Sequence, residues 1–151
     1  MLKKIGIITC SNTTQDLGCS SFKCLGDINN QAAFFERYKE SGGVELHGII
    51  NCAGCPTVTA PEKLLRRVKS LTNAGLDAIH ISTCMMELCP FKNKYVKLLE
   101  SNFPEIDIVQ GTHGGPKEEA EMFMDWVKDA LENSGEVMGE LMEKVDLITP
   151  A

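Results

Sequence analysis

Four short apolar runs, each followed by a segment with helical spacing, constrain this chain more than any other feature. They are KKIGIIT (Lys3 to Thr9), VELHGIIN (Val44 to Asn51), DAIHIST (Asp77 to Thr83) and IDIVQG (Ile106 to Gly111). Isoleucine and valine dominate them, and β-branched side chains suit extended backbone. The runs are near-continuous rather than alternating, as expected of strands covered on both faces. Between them lie INNQAAFFERYK (Ile28 to Lys39), PEKLLRRVKSLTNAG (Pro61 to Gly75) and KNKYVKLLESNF (Lys92 to Phe103), and PKEEAEMFMDWVKDALENSG opens at Pro116 after the last run. SGG at Ser41 to Gly43 stops the first helix, and the second has proline in its first turn and glycine at its end. Strands joined by helical crossovers lie parallel. The predicted fold is therefore α/β: a three-layer α/β/α sandwich with a mainly parallel sheet of four or five strands, flavodoxin- or Rossmann-like, in the order 2-1-3-4.

At 151 residues the chain is long enough for one domain with its own core. Residues 116–151 read as a C-terminal helical extension of that domain. Val137, Leu141 and Val145 recur every four residues there, which suits a helix packed on its own domain or a homodimer contact. Both monomer and homodimer are compatible with this pattern. The net charge of −6 disfavours a nucleic-acid backbone as partner. No stretch approaches the ~18 apolar residues of a membrane span, and MLKKIGIITCSNTT lacks the length and cleavage site of a secretory signal. The expected compartment is the cytoplasm.

Seven cysteines are many for such a chain. In a reducing compartment they are expected as ligands or redox thiols rather than structural disulfides. Their placement is regular on the predicted map. Cys10 follows strand one, and Cys19 and Cys24 lie in the long loop after it. Cys52 and Cys55 follow strand two, Cys84 follows strand three with Cys89 nearby, and His113 follows strand four. All fall beyond the carboxyl ends of strands, the edge where open α/β sheets bind ligands. In the order 2-1-3-4, with strands about 4.8 Å apart, Cys10, Cys52 and Cys84 are expected as neighbours. Thiolates prefer zinc, copper(I) and iron–sulfur clusters, and a Cys-x2-Cys turn lets two sulfurs reach one metal.

Plainer readings stand beside these. A small buried hydrophobe accounts for Cys10 or Cys84 taken singly, loop residues for Cys19 and Cys24, turn packing for Cys89, and a solvated imidazole for His113. His80 lies inside strand three, about 13 Å below the rim, and is expected as a hydrogen-bonded core histidine; His47 is read alike. The methionines read as packing. Asp16 and His113 are candidates for proton transfer, but no triad or carboxylate pair can be placed, so no enzymatic reaction is assigned. Two competing functions remain. Cys52 and Cys55 at a strand-to-helix turn suit a thiol–disulfide oxidoreductase or redox sensor. TCSNTTQD offers hydroxyls and amides to an anion, which suits a small-molecule or nucleotide-binding module on a flavodoxin-like sheet, although no glycine-rich phosphate fingerprint is present.

NCAGCP (Asn51 to Pro56), IHISTC (Ile79 to Cys84) and CP (Cys89 to Pro90), with GIITC, the C-x4-C-L of Cys19 to Leu25 and GTH (Gly111 to His113), resemble the CGGC-domain family. The likeness runs from about residue 3 to residue 115. Ala53 stands where the family motif has its first glycine. The resemblance implies a cysteine-rich metal-binding domain whose metal is zinc, and it carries Cys10, Cys19, Cys24, Cys52, Cys55, Cys84, Cys89, His80 and His113 across. The expectation is thus a metal ion as partner, zinc first and an iron–sulfur cluster second, held by the rim cysteines and His113.

Overall fold

The computed structural model describes residues 1–52, 60–114 and 125, excluding the side chains of Asp16 and Ala60. Four of its elements are the expected strands: β1 (Lys3–Thr9), β2 (Val44–Asn51), β3 (Ala78–Ile81) and β4 (Asp107–Gln110). They form one sheet in the order β2-β1-β3-β4, and every pairing is parallel. The helices are α1 (Phe22–Asn30), α2 (Ala60–Thr72), α3 (Thr83–Leu88) and α4 (Lys92–Asn102). A π-helical turn covers Asn12–Asp16 and a 3₁₀ segment covers Ala33–Ser41. The chain divides into two compact units, Met1–Gly114 and Gly115–Ala151. The helix expected after Pro116, the repeat of Val137, Leu141 and Val145, and Cys55 lie outside the described residues.

Each face of the sheet has its own core. On one, Ile8, Ile79 and Ile81 pack under Leu64, Val68 and Leu71 of α2, Tyr95, Val96 and Leu99 of α4, and Met85 of α3. Leu64, Val68 and Leu71 recur at helical spacing, so one stripe of α2 is buried. That helix sits close to the sheet because Gly48 has no side chain: a Cβ there would lie 2.6 Å from Leu71 Cδ1's twin methyl, Cδ2. On the other face, Ile5, Ile7, Ala78 and Val109 pack with Cys24 of α1 and with Phe35 and Tyr38. Adjacent residues of β1 thus serve opposite cores, as a pleated strand requires.

Three expectations change. The helix foreseen from Ile28 to Lys39 is two pieces, because Gln31 and Ala33 take positive φ values of 48° and 49° and break it. The backbone N–H groups of Gln31 and Ala32 close the end of α1 on Ile28 O and Asp27 O. The next piece is 3₁₀, whose three-residue turn puts both Phe35 and Tyr38 against the sheet. The second change is that Cys24 lies in α1 and Cys84 in α3, not in open loops. β3 stops early because the Ser82 side chain accepts from Met85 N–H and starts α3. The third is a bulge. Lys3 to Ile5 pair with Val44 to Leu46, but Gly6 to Thr9 pair with Gly48 to Asn51, leaving His47 as an extra residue. An extra residue reverses which face later side chains occupy. Val44 and Leu46 accordingly pack with Ile5 and Ile7, whereas Ile50 and Cys52 pack with Ile8 and Cys10.

Candidate functional site

The parallel ladder between β1 and β2 continues one bond past the strands, with Cys52 N–H donating to Thr9 O at 2.8 Å. Cys10 and Cys52 form the next rung. After the bulge at His47 both side chains fall on the α2 face, in one buried cluster. The Cys52 thiol donates to the Ser11 hydroxyl at 3.5 Å, and a hydrogen bond between the Cys10 and Cys52 side chains, reinforced by burial, pushes the Cys10 thiol well above its ordinary pKa. The Cys10 thiol is protonated at neutral pH.

A polar frame surrounds the sulfurs. Ser11 N–H donates to Cys52 Sγ at 3.4 Å, and the Ser11 hydroxyl donates to Cys52 O at 2.7 Å. The turn after β1 is held by Thr14 N–H on Cys10 O at 3.1 Å. Asn51 Oδ1 receives the Thr9 hydroxyl at 2.7 Å and the Thr14 hydroxyl at 3.2 Å, which ties the two strand ends together. From α2, Arg67 donates to Asn51 O at 2.9 Å and Cys52 O at 2.8 Å. Among the described residues β2 is an edge strand, and the guanidinium helps satisfy these carbonyls at its end.

The remaining rim residues divide. Cys84 Sγ lies 3.0 Å from the Ser82 hydroxyl, and Cys84 and Cys89 pack, partly buried, against the cluster that contains Cys10 and Cys52. Cys24 belongs to the opposite core, with its sulfur 3.2 Å from Thr112 Oγ1. Burial pushes the Cys24 thiol upward in pKa. Cys19 is exposed, its sulfur accepting from Ser21 N–H at 3.4 Å. His113 is partly buried, which lowers its pKa, and its carbonyl accepts from the Thr83 hydroxyl at 2.6 Å. Asp27 and Lys23 are the charges that act on its ring. Among the described residues, no group of three or more Cys, His, Asp or Glu side chains is arranged to hold a metal ion. The side chain of Asp16, the other candidate for proton transfer, lies outside the described residues.

His80 is a core histidine. It is fully buried, stacked on Phe35 at 4.5 Å between ring centroids. Gly111 O, 2.7 Å from Nδ1, can only accept, so Nδ1 carries the proton; Tyr38 OH, 2.8 Å away, then donates to Nε2. Both ring nitrogens are occupied within the core, so the ring has none left for a metal. Burial holds its pKa down at about 4. Below pH 6.5 the unfolded chain takes up a proton that the folded chain refuses, so acidification favours unfolding. From an ordinary value of 6.5 to about 4, at ~1.4 kcal/mol per pH unit, the loss comes to about 3 kcal/mol. Urea unfolding at a series of pH values is expected to show stability falling through this window and levelling off below it. His47, on the bulge, is less enclosed, with Nε2 3.4 Å from Glu45 Oε1.

Sequence reasoning noticed the hydroxyl-rich run after Cys10 but not that Ser11 and Thr13 would turn inward, 8% and 4% exposed. The signal available was their adjacency to a strand-end cysteine. A groove of about 730 Å³ lies elsewhere, lined by residues such as Leu65, Arg66, Lys69, Phe103 and Glu105, and among the described residues no cysteine or histidine faces it.

No curated protein matches the chain. No solved structure matches it either. A family model, described as the CGGC domain, matches residues 4–113. That span covers well over half of the 151 residues and takes in the whole sheet with the cysteines at its edge. The chain belongs to the CGGC domain family.

Proposed function

We propose that this protein is a metal-binding domain that holds zinc through thiolates at the carboxyl edge of the sheet, with Cys10 and Cys52 as the first two ligands. The observation that carries this reading is the buried Cys10–Cys52 thiol pair, set in a frame of hydrogen-bond donors. Two soft sulfurs side by side suit zinc, which takes four ligands in a tetrahedron. Cys55 follows Cys52 at the Cys-x2-Cys spacing that lets two sulfurs reach one metal. Cys84 and Cys89, which pack on the same cluster, are the candidates for the remaining position. Cys19, Cys24 and His113 are left out of this ligand set, because Cys24 serves the opposite core and the charges acting on His113 come from α1.

A reactive thiol needs a thiolate, hence a depressed pKa, and Cys10, whose pKa is raised, does not meet that need. A bound cation supplies the missing charge: it displaces the thiol protons and takes the sulfurs as anions. The same donors also suit an iron–sulfur cluster. Elemental analysis and an absorption spectrum of protein purified reduced and without oxygen decide the matter. Near-stoichiometric zinc in a colourless sample is the expected result. A brown sample containing iron transfers the site to a cluster, and protein with neither metal after reconstitution refutes the reading.

A further inference from the structure

Charge is divided unevenly between the two helical layers. Helices α2 and α4 pack together on one face of the sheet. Between them they carry seven lysines and arginines against two glutamates, in a chain whose net charge is −6. On the other face, α1 and the 3₁₀ segment carry three basic and three acidic residues. Two of the seven cations are committed, Arg67 to the carbonyls at the end of β2 and Lys92 to Met86 O at 2.6 Å. Lys63, Arg66, Lys69, Lys94 and Lys97 are exposed, and among the described residues none of them enters an ion pair. Lys63, Arg66 and Lys69 follow one another at three-residue intervals over ~9 Å of α2. Like charges so spaced repel, and an anionic partner relieves that repulsion.

The groove of about 730 Å³ opens in this same layer. Its loop residues, Asn73 to Leu76 and Glu105 with Ile106, lead into β3 and β4, so it sits at the amino edge of the sheet, whereas Cys10 and Cys52 are at the carboxyl edge. Leu65, Leu76, Phe103 and Ile106 give it an apolar lining, Arg66 and Lys69 stand on its α2 side, and Glu105 is the one carboxylate among its described lining residues. Helix carboxyl ends ordinarily repel an anion, but here they are turned inward. The backbone N–H groups of Asn73, Ala74 and Gly75 close the last turn of α2, and the Asn102 side chain and Phe103 N–H close that of α4. We propose that this face docks an acidic amphipathic segment of a partner protein, its apolar side chains in the groove and its carboxylates on Arg66, Lys69 and the lysines beyond. A small anion in the groove would meet only two of the five cations. A phosphate backbone matches the charge but leaves the apolar lining unused, and a bilayer is too flat to enter a groove. An extended acidic chain with apolar side chains along one side uses both features, which is the helix-in-groove mode of recognition. Glu105 repels the carboxylates from the β4 side and so turns them toward α2.

The probe is a fluorescent synthetic peptide with leucines at i, i+3, i+4 and i+7 and glutamates between them, titrated with the full chain at physiological salt and followed by anisotropy. A scrambled peptide of the same composition has the charge without the apolar side. Saturable binding of the patterned peptide is expected, with the scrambled one at least ~10-fold weaker. Arg66→Glu with Lys69→Glu should cost at least ~10-fold in affinity, because like charges then meet across the contact. Both side chains are exposed, so the melting temperature should hold. Arg37→Glu with Lys39→Glu changes the net charge equally on the opposite layer and should leave affinity unchanged. Leu65→Gln, which spoils the apolar lining without touching charge, should weaken the patterned peptide and not the scrambled one. A flat wild-type titration overturns the proposal. So do equal losses in the two charge-reversed pairs, or equal affinity for the two peptides, since either reduces the effect to net charge. Tighter binding of single-stranded DNA or of phosphatidylserine vesicles, lost in the Arg66 and Lys69 pair, overturns it in favour of a nucleic acid or a membrane.

Discussion

Serine at position 10 or position 52 is expected to abolish tight cobalt(II) and zinc binding by the reduced protein, with a loss of at least ~100-fold in affinity. Changes one shell behind a ligand already cost about 10- to 100-fold, and here the ligand itself goes. The hydroxyl that replaces the thiol stays protonated at neutral pH and is a hard donor where the metal favours a soft one. Neither change alters the fold much, since serine is nearly the shape of cysteine and Ser11 and Arg67 still hold the strand ends through backbone groups. Cys24→Ser is the contrast. Its sulfur bonds Thr112 and packs in the core on the other face, so the variant should bind cobalt like the wild type. Spectrophotometric titration of the three variants separates these outcomes. Tight binding by Cys10→Ser removes Cys10 from the ligand set, and equal losses in all three variants point to a general effect of cysteine replacement rather than a site.

The sheet was legible because the strand signal is strong and repeated. Ile5, Ile7, Ile8, Ile79, Ile81 and Val109 are all buried, and the helical segments between them leave a parallel arrangement as the simplest connection. The strand order β2-β1-β3-β4 agrees with that expectation. Local geometry was harder to read. Ala33 carries no hint that it will adopt a left-handed φ of 49°, and α3 is too short to show a periodic stripe. The site depends on a detail of the same kind. With an unbroken register, Cys10 would face Asn51 and Cys52 would point into the opposite core. The bulge at His47 reverses that parity and brings the two sulfurs together. Nothing in VELHGIIN announces a bulge, so the sequence placed both cysteines on one edge without determining that they touch. The opposite limitation applied to Cys24, whose neighbours in sequence suggested a loop whereas α1 carries it into a core.

The two-sided core also predicts which changes leave the thiols alone. Phe35→Ala is expected to cost about 3–5 kcal/mol, the range for deleting a fully buried ring. Phe35 is 0% exposed and stacks on His80 with an interplanar angle of 28°. Against a typical total of about 5–15 kcal/mol, that is a severe loss, best measured by urea unfolding in the cold. A second consequence is less obvious. The cavity admits water to the imidazole, so burial no longer holds the His80 pKa at about 4, and it climbs toward its unfolded value. As the folded and unfolded values converge, acidification from pH 6.5 to 4 discriminates less between the two states. The variant should thus be weaker at pH 7 yet lose less on acidification than the wild type. Metal affinity measured on the folded fraction should not change, because Phe35 belongs to the core on one face and Cys10 and Cys52 to the core on the other. Loss of cobalt binding in folded Phe35→Ala protein would show that β1, which feeds both cores, transmits the disturbance across the sheet.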